Sequence, residues 1–201
     1  MSYSTLCISV FEEATGDYHV ADSVDAAFSC PYREGSLEHH LYIKNRIDAV
    51  QWHLEDIIRN PSIDPAQALS VKRRIDRSNQ ERTDIVELID SYFLSLYSGV
   101  TPGEGAPLNT ESPAWAVDRL SILILKIYHM RIEAGRSDTT DAHRAGCREK
   151  LAVLIEQRDD LSLAFDCLMD DIAAGRKRIK VYRQMKMYND PALNPVLYKK
   201  G

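Results

Sequence analysis

The segment from Ser112 to Arg131 constrains the fold most strongly, because it has the pattern of a helix that is apolar around most of its circumference. Ser112 suits the N-cap position and Pro113 suits the first helical position. A helix of this kind lies inside a protein, yet ionisable residues are set into it, among them Asp118, Arg119, Lys126 and His129. Buried ionisable groups need partners or a ligand, so the segment predicts a polar site inside the molecule.

Helical periodicity continues through most of the chain. Apolar residues recur at intervals of three and four, and Asn-Pro, Asp-Pro and glycine-rich sequences separate the periodic stretches. The predicted long helices cover residues 36–59, 64–97, 113–134 and 139–175. No alternating pattern of strand type competes with them. We therefore predict an all-α fold, an antiparallel up-down bundle of four long helices.

The length of 201 residues predicts a single domain that spans residues 1–201. Within it we expect an N-terminal arm at residues 1–35 with a short amphipathic helix, a four-helix core at residues 36–175, and a basic C-terminal segment at residues 176–201. Helical spacing in the last of these predicts a short helix over residues 176–189, which ends before Asp190-Pro191.

Charge is distributed unevenly along the chain. The net charge is −5, but residues 176–201 contain eight Lys or Arg and one Asp. A basic end on an acidic body binds a polyanion or folds back on its own domain. We favour the second interpretation, because Val181, Tyr182 and Met185 lie between the charges. Nucleic acid is not an expected partner, since the arrays of aromatic and basic residues that read it are missing.

Polar residues at core positions predict contacts between the helices. Counting helical rise from the connections places Arg158 level with Asp118, and we predict that the two pair. The same count places Arg82 near His129, with Asn45 close by. A structural ion pair explains such groups without any ligand.

The alternative explanation is a site for a small anion, since arginine suits bidentate capture of phosphate or carboxylate. For this site we predict two catalytic residues, His129 and Asp118, as proton-transfer groups. The predicted ligand-binding residues lie on all four helices: Asn45, Asp48, Trp52, Arg82, Arg119, Lys126 and Arg158.

We predict neither a metal site nor a cofactor. His53 and Asp56 share a helix side, but Glu55 lies elsewhere on the circumference, and the Glu-x-x-His pairs of di-iron bundles are missing. Nucleophile motifs, phosphate-binding glycine loops and zinc spacings of cysteine and histidine are also missing.

Four stretches of sequence carry a family resemblance. They are residues 48–59 (DAVQWHLEDIIR), 72–80 (KRRIDRSNQ), 111–123 (ESPAWAVDRLSIL) and 186–190 (KMYND). Through them the chain resembles a bacterial family classified as domain of unknown function 4254, from about Tyr18 to Lys200. The resemblance implies a bacterial, cytoplasmic, helical protein and implies no activity.

The remaining features bound the class of protein. No apolar run is long enough to span a membrane, and a secretory signal is not apparent. The four cysteines form no Cys-x-x-Cys pair, so we expect reduced thiols and a cytoplasmic location. We expect a binding or scaffold protein that forms a homo-oligomer. The alternative is an enzyme, or a dedicated binder, that acts on a small phosphate- or carboxylate-bearing metabolite in a polar pocket of the bundle.

Overall fold

The computed structural model describes residues 2–185, 187 and 190–198. Six helices are present in this part of the chain: α1 (Tyr3–Ala21), α2 (Leu37–Ile58), α3 (Pro65–Leu96), α4 (Pro113–Gly135), α5 (Asp141–Ala173) and the four-residue α6 (Pro195–Tyr198). The described residues form no strand, so the all-α prediction is confirmed. Helices α2 to α5 begin and end within about two residues of the predicted bounds.

Local capping sets the ends of these helices, with one departure from expectation. The Asp64 carboxylate accepts hydrogen bonds from the first backbone N–H groups of α3, as an N-cap residue does. Ser112 precedes α4 but its side chain does not cap that helix. Instead Asp90 of α3 accepts hydrogen bonds from the Ala114 backbone N–H, at 3.1 Å, and from the Ser112 hydroxyl. A carboxylate of α3 therefore fixes the start of α4.

The N-terminal arm predicted for residues 1–35 is the least accurate part of the sequence analysis. Residues 3–21 form a helix of 19 residues rather than a short one. Its inner face is fully covered by the other helices, and Phe11 and Tyr18 are 0% exposed. Helix α1 contacts α2, α4 and α5, so it is part of the core.

Helix α4 is the central element, because it contacts all four other long helices. Helix α2 packs against α1, α3 and α4. The amide of Gln51 contacts Asn79, and Asp48 contacts Arg82, so α2 and α3 run in opposite directions. This arrangement brings α2, α3 and α4 together around the middle of the molecule.

The C-terminal segment contains no helix before α6 in its described residues, so the helix predicted over residues 176–189 is wrong there. Positions 186, 188 and 189 of that range lie outside the described residues. The segment runs back along the body. The Arg178 guanidinium donates to the Ala106 carbonyl at 2.8 Å, and the Gln184 backbone N–H donates to Glu87 at 3.0 Å.

Two properties of the whole molecule accompany this fold. Within the described residues, no helix has the length and apolar character needed to cross a membrane. All four cysteines lie in the described part of the chain, and each is a free thiol.

Candidate functional site

Four charged side chains meet where α2, α3 and α4 come together. The Arg82 guanidinium donates to both oxygens of Asp118, from Nε at 2.8 Å and from Nη2 at 2.5 Å. The Lys44 ammonium lies 3.0 Å from Asp118 and also donates to Asp48. Arg82 Nε lies 3.4 Å from Asp48 Oδ1. We call these four residues the charge cluster: Lys44, Asp48, Arg82 and Asp118.

The charge cluster contains two cations and two carboxylates, so its formal charges cancel. Lys44 is completely buried and Asp48 is 2% exposed, whereas the Arg82 side chain is 30% exposed. Burying charges is costly, and mutual pairing with good hydrogen-bond geometry offsets that cost. Because Arg82 is the most exposed member, the cluster reaches solvent through its guanidinium.

Neutral hydrogen bonds extend the charge cluster to α1. The Ser121 hydroxyl donates to Asp48 at 2.6 Å and accepts from the Asn45 amide at 3.1 Å. The Thr15 hydroxyl donates to the Asn45 carbonyl oxygen at 2.9 Å. All four residues are buried, and this chain holds the Asp48 carboxylate in one orientation.

The surroundings shift the two carboxyl groups in opposite directions. Burial has the largest effect on Asp48 and raises its pKa above the usual value, despite the opposing charge of Lys44. Burial also acts to raise the pKa of Asp118, but the charges and hydrogen bonds of Lys44 and Arg82 together lower it. Asp118 is thus the ionised carboxylate of the pair, and Asp48 is the one that takes up a proton first.

A cleft of about 280 Å³ lies over the charge cluster, between α2, α3 and α4. Its walls include Asp48, Trp52, Glu55, Asp56, Arg59 and Arg82. Among the described residues, Asp48 Oδ1 is buried and has no hydrogen-bond partner. This acceptor atom belongs to a residue of the cleft wall, and its nearest cation is Arg82 Nε at 3.4 Å.

The arginines of the cleft are already neutralised by carboxylates. Arg59 donates to Glu55 at 2.6 Å, and Arg82 donates to Asp118. The walls also contain the carboxyl groups of Asp48 and Asp56. The cleft therefore offers more hydrogen-bond acceptors than free positive charge.

His129 lies apart from the charge cluster. Its ring stacks on Trp52, with centroids 4.6 Å apart and planes 8° from parallel. Eleven residues of α4 separate it from Asp118, which corresponds to about 16 Å along the helix. Burial, followed by the effects of His19 and His53, lowers the pKa of His129 to about 4. The prediction that Arg82 lies near His129 is therefore wrong, whereas Asn45 and Asp48 do lie in the polar core beside Arg82.

Two predicted arginines lie outside the charge cluster. Arg119 is exposed and pairs with Glu111 at 2.7 Å, and the half-buried Arg158 pairs with its exposed neighbour Asp159 at 2.7 Å. The predicted pair of Arg158 with Asp118 is wrong, although the two residues lie at nearly the same height along their helices. Gln157 and Leu161 of α5 line one hollow together with Asp118, but Arg158 is turned about 100° away from Gln157 on the helix.

Lys126 belongs to a different surface, which we call the apolar groove. The groove lies between α2, α4 and α5 and has a volume of about 680 Å³. It is mostly apolar, and its lining includes Trp52, Lys126, His129, Met130, Val153 and Leu154. Trp52 thus lines both the cleft and the apolar groove.

Sequence reasoning missed three contributors to these sites. Lys44 lies four residues before Asp48, and this spacing is the signal from which the pair was predictable. Ser121 gives no such signal, because a serine in an apolar helix is common. His19 has no spacing relation to another polar residue of the sites, yet it lies beside His53 and His129.

Comparison with known proteins gives one match. The family model described as Protein of unknown function (DUF4254) matches residues 38–181. No curated protein and no solved structure matches the chain. The matched range contains every member of the charge cluster and of the cleft wall, and it leaves out α1.

Proposed function

We propose that this chain, which belongs to the DUF4254 family of proteins of unknown function, binds a small polar molecule in the cleft over the charge cluster. The observation that carries the proposal is Asp48 Oδ1, which is buried at the cleft wall and makes no hydrogen bond among the described residues, although Arg82 Nε lies 3.4 Å away as an ion-pair contact. An acceptor left unsatisfied in this way costs stability, and a ligand that donates to it removes the cost.

The chemistry of the walls favours a ligand with hydroxyl or ammonium groups. Asp48, Glu55 and Asp56 provide carboxylate oxygens, which accept hydrogen bonds, and the cleft arginines are paired. Trp52 adds an aromatic surface on which the apolar face of a sugar ring or an alkyl amine packs. A phosphate- or carboxylate-bearing ligand, the alternative predicted from the sequence, would need unpaired positive charge in the cleft. The cleft arginines do not provide it, because both are paired with carboxylates.

We assign proton transfer in this cleft to Asp48 rather than to Asp118 or His129. Burial raises the pKa of Asp48, whereas Lys44 and Arg82 lower the pKa of Asp118, so Asp48 is the better suited of the two to exchange a proton. Asp118 is bound by two cations and stays ionised, so its contribution is to hold Lys44 and Arg82 in place. His129 lies on the other side of the shared Trp52.

Thermal denaturation in the presence of ligand panels tests the proposal. One panel contains monosaccharides, amino sugars and polyamines, and the other contains inorganic phosphate, sugar phosphates and nucleotides. A ligand at 100 times its Kd stabilises a protein by about 2.7 kcal/mol, which corresponds to about 5–10 °C in Tm for a chain of this length. We expect such a shift from the first panel.

Two variants locate the binding. Asp48→Asn keeps the shape of the side chain and should abolish the shift, while Asp159→Asn, a surface change, should leave it intact. No shift with either panel, a shift with the anionic panel alone, or a shift that survives in Asp48→Asn would overturn the proposal.

A second candidate function is the homo-oligomeric scaffold, and the apolar groove is the observation that favours it. Val153 is 52% exposed on α5, beside Met130 and Leu154, and apolar surface of this kind is typical of sites that another protein covers. Sedimentation velocity tests this candidate. A dimer that dissociates in Val153→Lys supports it, and a monomer at all concentrations excludes it.

Two further proposals concern the arrangement of the long helices and the location of the protein in the cell. We propose that α2 to α5 form an antiparallel up-down bundle, supported by the opposed directions of α2 and α3. We also propose a cytoplasmic location, supported by four free thiols.

A further inference from the structure

Three histidines from three different helices converge at one end of α2. His19 belongs to α1, His53 to α2 and His129 to α4. One ring nitrogen of each lies within 4.8 Å of those of the other two. Their ring centroids are 5.2–5.8 Å apart. Since 34 and 76 residues of sequence separate them, no spacing motif predicts this cluster.

Each of these histidines presents a nitrogen that lacks a hydrogen bond. The Nε2 atoms of His19, His53 and His129 are all buried, and none has a hydrogen-bond partner among the described residues. Three such nitrogens in one place are unusual, because buried polar side-chain atoms are normally satisfied. A metal ion bound between them would satisfy all three at once.

The ring of His19 is oriented as a metal ligand would be. Its Nδ1 lies 2.8 Å from the Asp22 carboxylate, which leaves Nε2 with the free lone pair. A carboxylate on the other nitrogen of a ligating histidine is the usual outer partner, because it fixes the tautomer. Asp22 itself ends α1 with a φ of 47°, a left-handed conformation that is uncommon for residues other than glycine.

Aromatic rings hold the three imidazoles in place. His19 stacks on Tyr128 with centroids 4.3 Å apart, His53 stacks on Tyr18 at 5.0 Å, and His129 stacks on Trp52 at 4.6 Å. Such stacking restricts rotation of the rings, so the three nitrogens stay directed towards a common point. The cluster is thus preorganised by side chains from the same three helices.

We propose that His19, His53 and His129 bind one divalent transition metal ion, with Zn²⁺ as the expected species. Imidazole nitrogen is a preferred ligand of zinc, and three histidines with one position left open for water are a common arrangement in zinc sites that perform chemistry. Zn–N bonds place the ligand nitrogens about 3.3 Å apart, so the rings need to move by less than about 1 Å.

Nearby acidic groups favour a cation at this place. The Asp22 carboxylate lies 3.8 Å from His53 Nε2 and bonds to His19. The charge of Asp56 acts on both His53 and His129. His129 also lines the apolar groove, so the cluster borders a surface that a small molecule can reach.

Titration of the full chain with metal tests this proposal. Protein stripped with a chelator is titrated with ZnCl₂ by calorimetry and with CoCl₂ by visible absorption. We expect one equivalent of each ion, a tetrahedral cobalt spectrum, and a rise in Tm because the ion joins α1, α2 and α4. His129→Gln and His53→Gln should weaken zinc binding by at least about 100-fold, and Asp22→Asn by about 10-fold.

Controls separate this site from other histidines and from misfolding. His39→Gln removes a histidine of α2 that lies outside the cluster, and it should bind zinc as the parent protein does. X-ray absorption of the zinc-loaded parent needs no variant, and it should show nitrogen ligands typical of three imidazoles. No stoichiometric binding below about 10 μM, sulfur among the ligands, or unchanged affinity in folded His53→Gln and His129→Gln would overturn the proposal.

Discussion

Asp118 lies between two cations, the Arg82 guanidinium at 2.5–2.8 Å and the Lys44 ammonium at 3.0 Å. At the scale of single residues, this is the position where loss of one carboxylate leaves the most buried charge without a partner. Breaking a buried ion pair by removing one partner typically costs about 3–5 kcal/mol, whereas surface pairs contribute about 0–1 kcal/mol.

We therefore expect Asp118→Ala to lower the free energy of unfolding by about 3–5 kcal/mol, measured by urea denaturation. The control is Arg119→Ala, which removes an exposed cation that pairs with Glu111 and should cost less than about 1 kcal/mol. Equal costs for the two variants would mean that the charge cluster is no better shielded than the surface.

Asp48 provides a test that depends on pH. Because its folded-state pKa is raised above 3.8, the folded protein keeps a proton at pH values where the unfolded chain has lost it. The stability that this proton contributes is complete at low pH and is lost as the pH rises through the folded pKa.

The free energy of unfolding of the parent, relative to Asp48→Asn, should therefore fall as the pH rises above 3.8 and then level off. Denaturation curves for both proteins, recorded from about pH 4 to about pH 8, measure this difference. A difference that rises with pH would mean that Lys44 and Arg82 lower the pKa of Asp48 instead.

At the scale of elements, the bounds of the helices could be predicted from the sequence more accurately than the side chains that each helix buries. Periodicity and capping residues placed α2 to α5, because these are local properties. The apolar stripe of α2 includes Ile43 and Ile47, which are half-buried, yet the fully buried positions include Lys44 and Asn45. Helix α2 is covered on several sides, and polar partners from other helices make a polar face suitable for burial.

Helix α1 is the element that the sequence placed least well. Its hydrophobic pattern is weak, because Ser4 and Thr15 are buried along with its apolar residues. We expect Phe11→Ala to cost about 3–5 kcal/mol in the free energy of unfolding, since this ring is 0% exposed. Val20→Ala on the same helix is the control, because Val20 is 87% exposed and should contribute almost nothing. A small loss in Phe11→Ala would show that α1 is dispensable to the core.

At the scale of the whole molecule, the sequence identified most residues of the candidate site but not their arrangement. Asn45, Asp48, Arg82 and Asp118 meet as a group, whereas Arg119 and Arg158 pair elsewhere, with Glu111 and Asp159. Counting helical rise predicted the approximate height of each residue along its helix. It did not predict the direction in which the side chain points, because a shift of one residue along a helix turns that direction by about 100°.

The histidine cluster has the same origin in long-range packing. His19 lies on a helix that the sequence did not connect to the core, and His53 and His129 share no spacing pattern. Only the contacts of α1 with α2 and α4 bring the three together. Trp52 lines the cleft and also stacks on His129, so the two proposed sites share a wall.

The charge cluster contains one carboxylate whose pKa is lowered by Lys44 and Arg82 and one, at the cleft, whose pKa is raised by burial. Carbon-13 NMR of the side-chain carboxyl groups, assigned with Asp48→Asn and Asp118→Asn, measures this difference directly. We predict that Asp48 titrates above pH 3.8 and Asp118 below it. Titration of both groups below 3.8, or a higher value for Asp118 than for Asp48, would contradict it.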